Sequence, residues 1–204
     1  MAARNVIFDW SGTISDDFGI LYEVTMEIFE EHGIPRVERQ EFLSHYTLPY
    51  MIQVNRFLNI TKEEWDSKFH KVWEKRGFPR PFPGVLETLD YLQARGFGMA
   101  VLSSHPERFL HREVASYFPG RDYFAGIFAG AYDKREVIIP MLRKLGFRPA
   151  ETLFVGDTVH DIEAGRHAGV LTAAVLSGYN SEALLRQAGP DHIISTIADI
   201  RAII

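Results

Sequence analysis

Short apolar runs punctuate the chain, and each closes on a polar or turn-forming residue. Asn5-Val6-Ile7-Phe8-Asp9 is the first; Met99-Ala100-Val101-Leu102, Ile127-Phe128-Ala129, Thr152-Leu153-Phe154-Val155 and Leu171-Thr172-Ala173-Ala174-Val175 follow. Such near-continuous hydrophobicity belongs to strands buried on both faces, as in a parallel sheet. His192-Ile193-Ile194 adds a candidate edge strand. The segments between them carry helical spacing: Val85 to Arg95, Pro106 to Tyr117, Lys134 to Leu145, Asp161 to Ala168 and Ser181 to Gln187. Strands alternating with helices of this length predict an α/β fold built on a mostly parallel sheet.

Residues 17 to about 80 break that rhythm. Leu21, Val24, Ile28 and Phe29 have helical spacing, and Gly33 offers a C-terminal stop. Thr61-Lys62-Glu63-Glu64 reads as a capping box, with Thr61 and Glu64 satisfying orphan amides reciprocally. Trp65, Phe69, Val72 and Trp73 then form an aromatic stripe suited to helix packing, and Gly77 ends it. The proline-rich return Phe78-Pro79-Arg80-Pro81-Phe82-Pro83-Gly84 is a stiff hinge. The pattern predicts a small helical insertion over 17–80, after the first strand, in an α/β domain made of 1–16 and 81–204.

Composition narrows the field. A chain of 204 residues has room for one domain with a modest insertion. A net charge of -5, with basic residues scattered, gives no footprint for nucleic acid. Cysteine is absent, which removes disulfides, thiolate metal sites and a cysteine nucleophile. The opening MAARNVIFDW has no apolar signal core, and no run approaches the roughly 18 apolar residues of a membrane span. The expectation is a cytoplasmic monomer or homodimer, with neither nucleic acid nor membrane as a partner.

The candidate chemistry sits at strand ends, where open α/β sheets bind ligands. Asp9, Ser103, Lys134 and the pair Asp157 and Asp161 fall at or just past those ends. Each alone has an ordinary role as a turn or helix cap. Together they are chemically coherent. Carboxylate oxygens suit Mg²⁺, which keeps several waters and binds phosphate oxygens. With Mg²⁺ between Asp9 and Asp157, Asp9 approaches a phosphate without prohibitive repulsion. Ser103 and Lys134 then hold the remaining phosphoryl oxygens. Asp9 attacks phosphorus and forms an aspartyl-phosphate.

These residues resemble the haloacid dehalogenase superfamily along nearly the whole chain. Its first motif, Asp-x-Asp-x-Thr, is met by Asp9 and Thr13 with Ser11 between them. Its second is matched by Ser103 in MAVLSS, its third by Lys134 in DKREVIIPMLRKLG, and its fourth by Asp157 and Asp161 in FVGDTVHD. The resemblance implies a Rossmann-like core, a helical cap over a phosphatase site, and closest likeness to the phosphoglycolate phosphatase branch. It makes Asp9 the nucleophile, with Ser11 and Lys134 as its catalytic neighbours. Asp9, Asp157, Asp161 and the main-chain carbonyl of Ser11 become the Mg²⁺ ligands. Ser103, Ser104, Gly12 and Thr13 become the contacts of a small phosphorylated substrate, with Thr13 also bracing the loop. Asp16 matches an acidic position near the cap hinge.

Ser11 is the departure. The family's second aspartate protonates the leaving oxygen and then activates water, and a serine hydroxyl does not ionise near neutral pH. Loss of general acid–base help costs about 10²–10⁴-fold, and less for good leaving groups. The first expectation is therefore a slow Mg²⁺-dependent phosphatase. Phosphonoacetaldehyde hydrolases offer a second, since their DWAGT resembles DWSGT. They split a carbon–phosphorus bond through a Schiff base on an early cap lysine. No lysine lies between Asp9 and Thr61 here, and Lys62, Lys68, Lys71 and Lys75 read as a solvated face. A phosphate-binding protein without turnover is the third. His160 and His167 read as a partly exposed helix face, His105 lies near the phosphate site, and Arg56 has an anion-binding or a surface role.

Overall fold

The computed structural model describes residues 3–204, so residues 1 and 2 of the expected 1–16 segment lie outside the described residues. At its centre is β1 (Asn5–Phe8). Val6 and Phe8 enter one apolar cluster while Ile7 enters another, so both faces of the strand are covered. That explains the unbroken hydrophobicity of the run. β1 is flanked in parallel by β4 (Gly98–Leu102) and β6 (Thr152–Gly156), with Phe8 level with Val101 on one side and Val155 on the other. β5 (Gly126–Phe128) extends the sheet beyond β4. β7 (Leu171–Val175) and β8 (His192–Ile194) extend it beyond β6. The result is a six-stranded parallel sheet in the order β5-β4-β1-β6-β7-β8, a Rossmann-type α/β core.

Helices α5 (Val85–Ala94), α6 (Glu107–Tyr117), α7 (Lys134–Leu145), α8 (Val159–Ala168) and α9 (Glu182–Ala188) connect the strands and close the two apolar layers. α8 begins two residues ahead of the predicted start at Asp161, because Thr158 caps it and Asp161 completes the box as its third helical residue. Since all strands run the same way, their carboxyl ends open on one rim, and Asp9, Ser103 and Asp157 arrive there together.

After β1 the chain forms a short antiparallel ribbon, β2 (Ser15–Asp16) with β3 (Arg80–Pro81). Between its strands lie α1 (Phe18–Glu31), α2 (Arg39–Ser44), α3 (Met51–Phe57) and α4 (Lys62–Trp73). The ribbon, α2 and α3 had no signal in the hydrophobic pattern. Trp65, Val72 and Trp73 join Phe29 and Val54 in a separate apolar cluster, which Phe109 and Tyr179 of the α/β part complete. The predicted capping box of α4 is only half formed. Thr61 Oγ1 accepts from the Glu64 amide at 3.2 Å, but Glu64 returns no bond. Among the described residues, no helix is long and apolar enough to cross a membrane.

Candidate active site

The loop after β1 is pinned by its own backbone. Trp10 carbonyl oxygen accepts from the amides of Thr13, Ile14 and Ser15, and the Asp9 amide donates to Val155 at 2.8 Å. Gly12 has φ of +76°, and a Cβ there would lie 2.3 Å from Asp157 Oδ2. Glycine therefore serves both the left-handed turn and the close approach of the Asp157 carboxylate. Thr13 is fully buried and donates to Asp157 Oδ1 at 3.2 Å. The Tyr179 amide donates to Asp157 Oδ2 at 2.8 Å. The loop thus positions Asp157 as well as Asp9.

Lys134, the first residue of α7, is fully buried between two of the carboxylates. Its Nζ lies 2.8 Å from Asp9 Oδ1 and 2.6 Å from Asp161 Oδ1. Asp161 Oδ2 is held by the amide and hydroxyl of Thr158, at 3.0 and 2.6 Å. Asp9, Asp157 and Asp161 each bring an oxygen within 4.8 Å of the others, all buried. Three carboxylates against one ammonium leave an excess of negative charge in a desolvated place, and the proton affinities show it. Burial pushes Asp9 up to about 6 against the pull of Lys134. Burial, with Asp9 and Asp161 beside it, holds Asp157 well above the usual carboxylate range. Asp161 stays below that range, because Lys134, His160 and the Thr158 bonds outweigh its burial. Burial depresses Lys134, but Asp161 and Asp9 prevail and keep it above the ordinary lysine value. An all-oxygen donor set with excess negative charge fits a hard divalent cation.

The remaining predicted contacts surround this cluster. Ser103 is buried, and its Oγ accepts from the His105 amide at 3.2 Å. Ser11 and Ser104 line a cavity between the sheet rim and the inserted helices. Lys62 also lines that cavity and pairs with Asp66 at 2.6 Å, so it does not lie on a purely solvated face. His160 departs from the partly exposed helix face expected of it. It is buried, burial pushes its imidazole down, and its Nε2 accepts from the Lys134 amide at 3.2 Å. His167 is exposed.

Several residues of the site escaped sequence reasoning. Asp16 is exposed in the ribbon, whereas its neighbour Asp17 is fully buried. Tyr179 hydroxyl donates to Asp17 Oδ1, and Asp17 Oδ2 is buried. Trp10 Nε1 donates to Glu113 Oε2 at 2.6 Å, and Glu113 Oε1 meets His105 Nε2 at 3.1 Å. His105 in turn packs edge-on against Trp73 of α4, with centroids 5.2 Å apart. The signal for Glu113 was present in the pattern, since it follows Phe109 and Leu110 at helical spacing on the apolar face of α6.

Comparisons with known proteins bear on the family and the fold. A sequence model of the haloacid dehalogenase-like hydrolase family matches residues 6–175. Pyrophosphatase PpaX of Oceanobacillus iheyensis is 28% identical, over 100% of this chain and 98% of its own length. A phosphoglycolate phosphatase of Aquifex aeolicus is 29% identical, over 97% of this chain and 94% of its own. The solved structure of a protein described as a predicted phosphatase from Clostridium acetobutylicum superposes with a TM-score of 0.89. That match covers 100% of this chain and 98% of the other at 18% identity, a likeness of fold.

Proposed function

The chain belongs to the haloacid dehalogenase-like hydrolase family, and on that premise we propose that it is a Mg²⁺-dependent phosphatase of small phosphorylated metabolites. The observation that carries this reading is the buried rim cluster of Asp9, Asp157, Asp161 and Lys134. Asp9, Asp157, Asp161 and the Ser11 carbonyl would hold Mg²⁺, which supplies charge neutralisation for an incoming phosphate. Residues 17–80 act as the cap.

Asp9 is the nucleophile. The Trp10 amide and Lys134 both take its Oδ1, at 2.6 and 2.8 Å, which leaves Oδ2 for attack. The bond from Oδ2 to phosphorus forms as the ester oxygen leaves with its electron pair, giving an aspartyl-phosphate. Water then cleaves the acyl phosphate and restores the carboxylate. Lys134 holds the charge of Asp9 in place, and Ser103 and Ser104 offer hydroxyls to phosphoryl oxygens. Ser11 can orient a leaving oxygen but cannot protonate it.

Phosphatase assays of the wild type, Asp9→Asn and Ser11→Asp on aryl and alkyl phosphates test the reading. Asp9→Asn is expected to abolish turnover, and Ser11→Asp to raise alkyl phosphate turnover by about 10²-fold or more. Activity left intact by Asp9→Asn, with no gain from Ser11→Asp, would overturn it. The position of Lys62 in the cavity beside Ser11 favours a second reading, carbon–phosphorus cleavage through a lysine imine. Borohydride trapping with phosphonoacetaldehyde decides it, because that chemistry requires a covalent adduct on Lys62.

A further inference from the structure

Beside Ser11 and Ser104 lies a cavity of about 290 Å³ that extends away from the sheet rim into the inserted helices. Its lining is rich in aromatic rings, among them Phe29, Phe42, Tyr46 and, from α4, Trp65 and Phe69. Also on its lining, Tyr50 of the insert meets Tyr132 of the α/β part edge-to-face, with centroids 5.3 Å apart. Among the lining residues Lys62 is the one permanently charged cation, and Asp66 already holds it at 2.6 Å. Burial pushes the His70 imidazole down, so it adds no positive charge at neutral pH. His105, on the same lining, already meets Glu113 at 3.1 Å, so a second anionic group on the substrate, such as pyrophosphate or phosphoglycolate carries, would lose hydration here without gaining a free cation. A neutral aromatic group would exchange water for ring faces and edges. Size agrees, since a cavity of about 150 Å³ takes up benzene, and this one has room for one or two rings.

The chemistry at Ser11 points the same way and is independent of the cavity. A phenol, with a pKa of about 10 as in tyrosine, departs as its anion far more readily than an alkyl alcohol. A serine in the acid–base position does not protonate a departing oxygen, so such a site favours these esters. We propose that the substrate is an aryl phosphate, a phosphate monoester of a phenol-like alcohol. Its one- or two-ring group fills the cavity between the insert and the sheet rim while its phosphoryl group meets Asp9. The proposal rests on the phosphatase reading for its chemistry, but the binding preference stands on the cavity alone.

The test therefore separates binding from turnover. The full chain with MgCl₂ is titrated calorimetrically with 1-naphthylmethylphosphonate, methylphosphonate and phosphonoacetate, none of them a hydrolysable ester. The naphthyl compound is expected to bind about 30-fold tighter than methylphosphonate, the order set by burying an aromatic ring. Val54→Phe, which places a ring in the same cavity, is expected to erase that preference while circular dichroism reports an intact fold. Equal affinities, or a preference for phosphonoacetate, would overturn the proposal, and the wild-type comparison decides it even if the variant does not fold. Turnover of 1-naphthyl phosphate against phosphoglycolate, with Asp9→Asn as control, supplies the second arm. Aryl turnover at least tenfold faster (an approximate threshold) supports the proposal, and faster phosphoglycolate turnover refutes it. Turnover that survives Asp9→Asn would sink the phosphatase reading, and the titration would still judge the aromatic cavity.

Discussion

Asp16 and Asp17 stand side by side in the sequence, yet the fold exposes the first and buries the second beside Tyr179. Burial pushes Asp17 up from 3.8 to about 6. A carboxyl raised in the folded state favours folding while protonated, so its contribution is full below about pH 4 and is lost as pH rises through 6. Above that range the buried charge costs roughly 3 kcal/mol, from about two pKa units. Asp17→Asn keeps an acceptor for Tyr179 and removes the charge. Denaturant unfolding is therefore expected to show the variant more stable at pH 8, with the gain vanishing near pH 4. No residue-level signal separated these two acids, because the difference lies in which one the ribbon turns inward. Ser11, by contrast, was legible by its position between Asp9 and Thr13.

At the scale of elements, local pattern succeeded where elements were long or doubly buried. Strands such as Thr152–Gly156 are hydrophobic on both faces and announce themselves. α2 and α3 have 6 and 7 residues, and helices that short have little stability of their own. They exist because Phe42, Met51 and Val54 dock into the cluster around Phe29 and Trp65. The start of α8 is a case of a local device with a distant purpose. Thr158 caps the helix and at the same time holds Asp161 against Lys134. Thr158→Ala is expected to cost about 1–2 kcal/mol in urea unfolding. It should also weaken Mg²⁺ binding, because Asp161 loses its hydroxyl partner.

Across the whole molecule, three buried carboxylates share one ammonium at the rim, and on the proposed reading a cation would relieve that excess charge. Binding to the folded chain alone stabilises it by mass action, about 2.7 kcal/mol at a hundredfold excess over Kd. For a chain of this size that raises Tm by about 5–10 °C, and calorimetry with and without MgCl₂ measures it. Asp157→Asn is expected to raise Tm in EDTA, by removing one of the crowded carboxylates, and to abolish the Mg²⁺-dependent rise. An unchanged Tm on adding MgCl₂ to the wild type would contradict the charge argument. The alternation of strands and helices, the run of helices after the first strand and the positions of Asp9, Ser103 and Asp157 at strand ends were all written in local order. They depend on spacing within a few residues and on the rule that parallel strands share one rim. Only the tertiary structure decided that His160 supports Lys134 and that Glu113 joins Trp10 to His105. It also decided that an aromatic cavity opens beside Ser11. Those contacts join positions far apart in the chain, and their partners are chosen by how layers pack, which no local period encodes.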